Sequence, residues 1–162
     1  MRLVFDVLQE PRGEVLHVLF RALAPRSSSI LMVLRDDLGL SQTGQGLLSR
    51  LQPHLLERTQ GSEWPGTKLL DDEATILRFA SSDGVLNELM IASEGLYGWC
   101  QPDLPEDLAF IREDGTAILT SICHEHDAYL AISDDEYQSL VVSVPNLVDI
   151  LHRRQSPSDI ES

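Results

Sequence analysis

Apolar positions along this chain repeat with two periods, and the alternation between them lays out the elements. Met1–Leu8 alternates imperfectly, with Leu3, Phe5 and Val7 against Val4 and Asp6, and predicts a strand or extended segment. Gly13–Ala24 is apolar at Val15, Leu16, Leu19, Phe20 and Leu23, steps of three and four that place one stripe on a helix. Pro11 can open that helix, and Pro25 with Ser27–Ser29 closes it. Ile30–Leu34 is an unbroken apolar run, short enough for a buried strand. Ser41 is a plausible N-cap for a helix from Gln42 to about Thr59, with Leu47, Leu48, Leu51, Leu55 and Leu56 on one face and Pro53 kinking or breaking it.

Gly61–Thr67 (GSEWPGT) predicts a loop, since Trp-Pro-Gly invites a turn. Glu73–Ala80 reads as a strand, and Asp83 caps a helix running to about Ser93. Gly95–Asp107 is a long loop with Gly98, Pro102 and Pro105. Leu108–Arg112 and Ala117–Cys123 predict a hairpin turning on Glu113-Asp114-Gly115, the glycine supplying a positive φ. His124–Asp127 is a polar connection to a third strand, Ala128–Ile132. Ser133 with Glu136 three residues on is a capping-box signature for a helix to about Val144. Pro145–Arg154 predicts a last helical piece, and Gln155–Ser162 a frayed tail. The sum is an α+β fold, a mainly antiparallel sheet with helices packed on it, in a single domain over residues 1–154.

At 162 residues the chain is large enough to bury a full core without staples. No apolar run approaches the roughly 18 residues of a membrane span, and the N-terminal stretch lacks the apolar core of a signal peptide. Two cysteines and no export signal predict a reducing cytoplasm and free thiols at Cys100 and Cys123.

Charge changes the picture most. The net charge is −14, and residues 94–136 carry eleven acids against Arg112 alone, whereas residues 1–60 are near neutral. Direct binding of nucleic acid calls for the opposite sign. A basic protein partner fits, because complementary charge speeds and orients encounter; an acidic surface can equally serve solubility alone.

The candidate chemistry lies in the same stretch. In His124-Glu125-His126-Asp127, imidazoles two apart on an extended strand would share a face and could share a metal, with Asp127 or Cys123 nearby. The spacing is not HExxH, and Cys100 and Cys123 lack CxxC pairing, so a hydrogen-bonded loop explains the run as well. Glu106-Asp107 beside Pro105 could act as an acid/base pair, hold Arg112, or form a solvated face. Trp64 and Trp99 sit in loops, where a tryptophan either closes a core or anchors an interface.

Ser62–Thr67, Leu96–Leu108 (LYGWCQPDLPEDL), Arg112, Asp114-Gly115 and Ser121–Leu130 (SICHEHDAYL) together resemble a group of small uncharacterised bacterial proteins associated with immunity and defence loci. The resemblance spans about residues 40–135 and carries no catalytic motif. It implies a stand-alone α+β protein that works through a partner. The expectation is a non-enzymatic binding module, an immunity protein, inhibitor or small defence-complex subunit, that needs no cofactor and docks a basic protein surface. Asp103, Glu106, Asp107, Glu113, Asp114 and Asp127 would supply the charge, and Trp99 or Tyr97 the apolar anchor. The alternatives are a metal-dependent enzyme or metal-binding domain using His124, His126, Asp127 and Glu106, and an oligomer formed through the Leu-rich helix.

Overall fold

The N-terminal alternation forms a strand, β1 (Leu3–Val7), in the computed structural model, which describes residues 1–155. Helix α1 (Glu14–Leu23) follows, burying Leu16, Leu19, Phe20 and Leu23, the stripe its spacing predicts. Strand β2 (Ser29–Leu34) then runs through the middle of the sheet between two antiparallel neighbours. Its unbroken apolar run has a physical reason. Ile30 and Met32 face the helix side, while Leu31 and Val33 enter a second apolar cluster on the opposite face, so both sides exclude water.

Helix α2 (Gln42–Leu51) starts where Ser41 predicts, its hydroxyl oxygen accepting the Gly44 N–H at 3.1 Å. Gly44 is required there, because a Cβ would lie 2.9 Å from the Asp103 carbonyl oxygen. The helix does not reach Thr59. It ends at Leu51, a 3-10 turn carries Pro53, and Leu55–Gly61 becomes an edge strand, β3. Pro53 supplies no N–H to continue the helix, and pairing with the next long strand satisfies the backbone beyond it. Leu47 and Leu51 are buried inside the molecule and Leu48 and Leu55 pack against the same core, while Leu56 is exposed.

Residues Glu63–Trp64 (β4) and Thr67–Lys68 (β5) form a small hairpin within the expected loop. Gly66 turns it at φ 85°, where a Cβ would meet Thr120 and Ile122 at 2.9 Å. The hairpin buries Trp64 against Leu31, Val33, Ala74, Ala109 and Ile111 on the face away from the helices. Then come β6 (Ala74–Ala80), α3 (Asp83–Ala92), β7 (Glu106–Ile111), β8 (Ala117–Ile122) and β9 (Asp127–Ile132). Ser133 and Glu136 complete both halves of the capping box at the start of α4 (Asp134–Ser143). The final segment is a single turn, α5 (Leu147–Ile150), followed by a strand, β10 (Leu151–Arg153), which pairs with β1. The expected tail lies outside the described residues from position 156 on.

All eight strands of the main sheet are antiparallel, in the order β10-β1-β9-β8-β7-β2-β6-β3, and the fold is α+β. The main core lies between this sheet and the helices, where Phe20 meets Phe110 with ring centroids 5.2 Å apart. Each such fully buried apolar side chain is worth about 1.5–3 kcal/mol. Among the described residues, no helix is long and apolar enough to cross a membrane.

Candidate functional site

Two connections meet at one end of the β7–β8 hairpin: the Gly95–Pro105 loop before β7, and the turn between β8 and β9. The loop is held in place from several sides. The Gln101 side chain accepts the Arg35 N–H at 2.7 Å and donates to the carbonyls of Arg35 and Gly39 at 3.0 and 2.7 Å. The Ser41 hydroxyl donates to the Asp103 carbonyl at 2.9 Å. The β8–β9 turn is a 3-10 turn, Cys123–Glu125, closed by His126 in the left-handed region at φ 50°.

Four side chains converge where these segments cross. Cys100, Glu106, Cys123 and His124 place one donor atom each within 4.8 Å of one another. The sulfurs of Cys100 and Cys123 are joined as a disulfide, with the Cα atoms 5.6 Å apart, so the expectation of free thiols is corrected. Their separation of 23 residues gave no sign of the pairing, which exists because two short 3-10 turns pack together. Cys100 Sγ lies 3.6 Å from either ring nitrogen of His124, and His124 Nε2 lies 2.5 Å from Glu106 Oε1. Glu106 is 1% exposed, while the His124 side chain is 49% exposed.

Asp107 braces this arrangement. It is buried, with φ 55°, a conformation that Asp tolerates better than most residues but that still costs energy. One carboxylate oxygen accepts the Trp64 indole N–H and the other the backbone N–H of Cys123, both at 2.9 Å. A single side chain thus ties the β4–β5 hairpin to the β8–β9 turn. Among the described residues, Asp107 and His126 are the two non-glycine positions with positive φ, and both flank the cluster. Backbone strain of this kind persists where surrounding contacts over-determine it.

The HEHD run does not act as one ligand set. Because Cys123–Glu125 is a turn and not extended strand, His124 reaches the cysteines and Glu106, whereas His126 stacks on Tyr97 at 5.4 Å. Glu106 and Asp107 do not hold Arg112, which instead pairs with both oxygens of Glu136 at 2.9 and 3.0 Å and donates to the Ala131 carbonyl at 2.9 Å. Burial pushes Glu136 up, but the Arg112 guanidinium and the Ser133 N–H outweigh it and hold the carboxyl below its ordinary value.

The side chains expected to dock a partner are divided by the fold. Trp99 is 0% exposed and belongs to the main core, which removes it as a surface anchor. Glu106 and Asp107 are buried as well. Asp103 and Asp127 are exposed at the cluster end of the hairpin, and Glu113 and Asp114 are exposed at the other end. The acidic stretch is therefore not one continuous face.

Tyr97 was the other candidate anchor. It is half-buried, and its phenol is pushed up to about 12 by burial first, then by the negative charges of Asp127 and Glu10. Glu94 and Asp103 line one open depression beside Gly98, next to Tyr97 in the chain. The chain matches no protein-family model, and neither a curated protein nor a solved structure shows significant similarity to it.

Proposed function

We propose that the chain is a non-enzymatic module that binds a protein partner through a basic surface of that partner, as an immunity protein, an inhibitor or a small subunit of a bacterial defence complex does. The observation that carries this reading is the carboxylate surround of Tyr97. Asp127 and Glu10 place negative charge near its phenol, and Glu94 and Asp103 line a depression beside Gly98, the next residue in the chain. A half-exposed aromatic with carboxylates nearby suits a basic surface, with the ring supplying contact area and the carboxylates supplying steering. The phenol remains protonated at neutral pH, so it can donate a hydrogen bond as well.

The test is affinity capture from the source organism at low salt, comparing charge reversals at the two ends of the hairpin. Asp103→Lys with Asp127→Lys is expected to weaken retention of a basic partner by tenfold or more. Glu113→Lys with Asp114→Lys is expected to change it far less. Raising the salt should release the partner, since screening at physiological ionic strength acts over about 8 Å. Retention indifferent to salt and to both reversals would sink the reading.

A further inference from the structure

We propose that, with its thiols reduced, the chain holds one zinc-class divalent ion on Cys100 Sγ, Cys123 Sγ, a ring nitrogen of His124 and a carboxylate oxygen of Glu106. This proposal is independent of partner docking and uses a different set of side chains.

The donor set suits such an ion. Two thiolates, an imidazole and a carboxylate are ligand types that zinc accepts in four-coordinate sites. Bonds of about 2.0–2.3 Å to a tetrahedral ion put neighbouring donors roughly 3.3–3.8 Å apart. The Cys100–His124 separation of 3.6 Å falls in that range, and all four donors already lie within 4.8 Å. The Glu106–His124 contact, at 2.5 Å, needs to open by about 1 Å, on the side where half of the His124 side chain faces solvent, and on reduction the two sulfurs must part to ligand spacing as well.

Charge and burial point the same way. Among the described residues, His124 is the one hydrogen-bond partner of the Glu106 side chain, and it lies at the surface while Glu106 does not. A buried carboxylate is costly unless paired, and a dication supplies the missing countercharge. Supporting contacts are present too. Asp107 fixes the backbone of Cys123, the Gln101 and Ser41 hydrogen bonds fix the loop that carries Cys100, and Glu106 is held as the first residue of β7. Outer contacts of this sort orient ligands and commonly change metal affinity by about 10–100-fold when removed. The exposed edge at His124 provides an entry path.

Binding exchanges protons for metal: two thiols and one M²⁺ give the dithiolate complex and two H⁺, so affinity rises with pH. The same sulfurs cannot bind the ion while joined as a disulfide. With a low-molecular-weight disulfide as oxidant, the two thiols pass two electrons and two protons to it, leaving the Cys100–Cys123 bond and two small thiols.

The experiment is a cobalt(II) titration of the full chain reduced with a phosphine, followed by competition with zinc. One cobalt per chain is expected, with thiolate-to-cobalt charge transfer and the intense ligand-field bands of a tetrahedral site, both abolished by zinc. His124→Ala and Glu106→Gln are expected to weaken binding at least tenfold with an unchanged far-ultraviolet circular dichroism spectrum. Glu125→Gln, in the same turn but outside the donor set, should bind as the wild type does. The wild-type chain oxidised by glutathione disulfide should bind none, and it supplies a thiol-free control should a cysteine variant fail to fold. A reduced, folded chain lacking these bands would overturn the proposal. So would a spectrum that persists after oxidation or in the Cys100→Ser, Cys123→Ser variant.

Discussion

Glu106-Asp107 and Glu113-Asp114 are the same dipeptide at opposite ends of one β-hairpin, and the fold gives them opposite situations. The first pair is buried, braced by Trp64, the Cys123 backbone and His124, and held in part by a left-handed backbone. The second sits on an exposed turn whose positive φ falls on Gly115, at 87°, where glycine takes it without strain. There, Asp114 accepts hydrogen bonds from the hydroxyl and N–H of Thr116 and then from Arg2, which together hold its carboxyl well below the usual carboxylate range. Identical residues therefore serve as internal braces at one end and as a solvated turn at the other. What differs is the company: at the braced end a long loop, a second hairpin and a tight turn converge on the dipeptide, and at the other end it sits on a turn with both acids exposed.

The largest effect that should separate the two ends comes from the loop that covers the first. Trp99→Ala is expected to cost about 3–5 kcal/mol in urea unfolding, as for other large-to-small changes at buried aromatic positions. An unchanged midpoint would mean that Trp99 is not core. Next in size is Asp107→Ala, which orphans the Trp64 and Cys123 N–H groups and leaves alanine at a positive φ. It should cost roughly 2–4 kcal/mol, with a change in Trp64 fluorescence.

The smallest effect lies at the exposed end. Asp114 has a depressed folded-state pKa, so its stabilising contribution is present above the unfolded carboxylate pKa and disappears as pH falls through the folded value. Asp114→Asn should therefore be slightly less stable than the wild type at neutral pH and indistinguishable from it in strong acid. Melting curves across that range check the sign. A difference that grew towards low pH would contradict the role assigned to Thr116 and Arg2.

Much of the chain was legible because its signals are local. The stripe of α1, the Ser41 and Ser133 caps, the buried run of β2 and the glycine turn at 115 depend on residues within a few positions of each other, and each stands where the pattern placed it. Apart from the start of α3, capped by the Ser82 hydroxyl and not by Asp83, the main misses are decided at a distance. Strand β3 carries a polar, exposed sequence continuous with a leucine pattern of helical spacing, and only its ladder with β6 makes it a strand. Strand β10 exists because β1 offers a free edge, and β4–β5 because Trp64 finds both an apolar pocket and the Asp107 carboxylate.

The candidate site divides along the same line. The sequence by itself determined that the acids, the cysteines and two histidines crowd into one stretch, and that the chain carries a charge of −14. Only the tertiary structure decided that Cys100 meets Cys123, that His124 and not His126 joins them, and that Glu106 is inside while Glu113 is outside. Residue type and spacing set what a side chain can do chemically. Burial and partnership depend on which segments pack across it, and those lie 16 to 87 positions away in sequence.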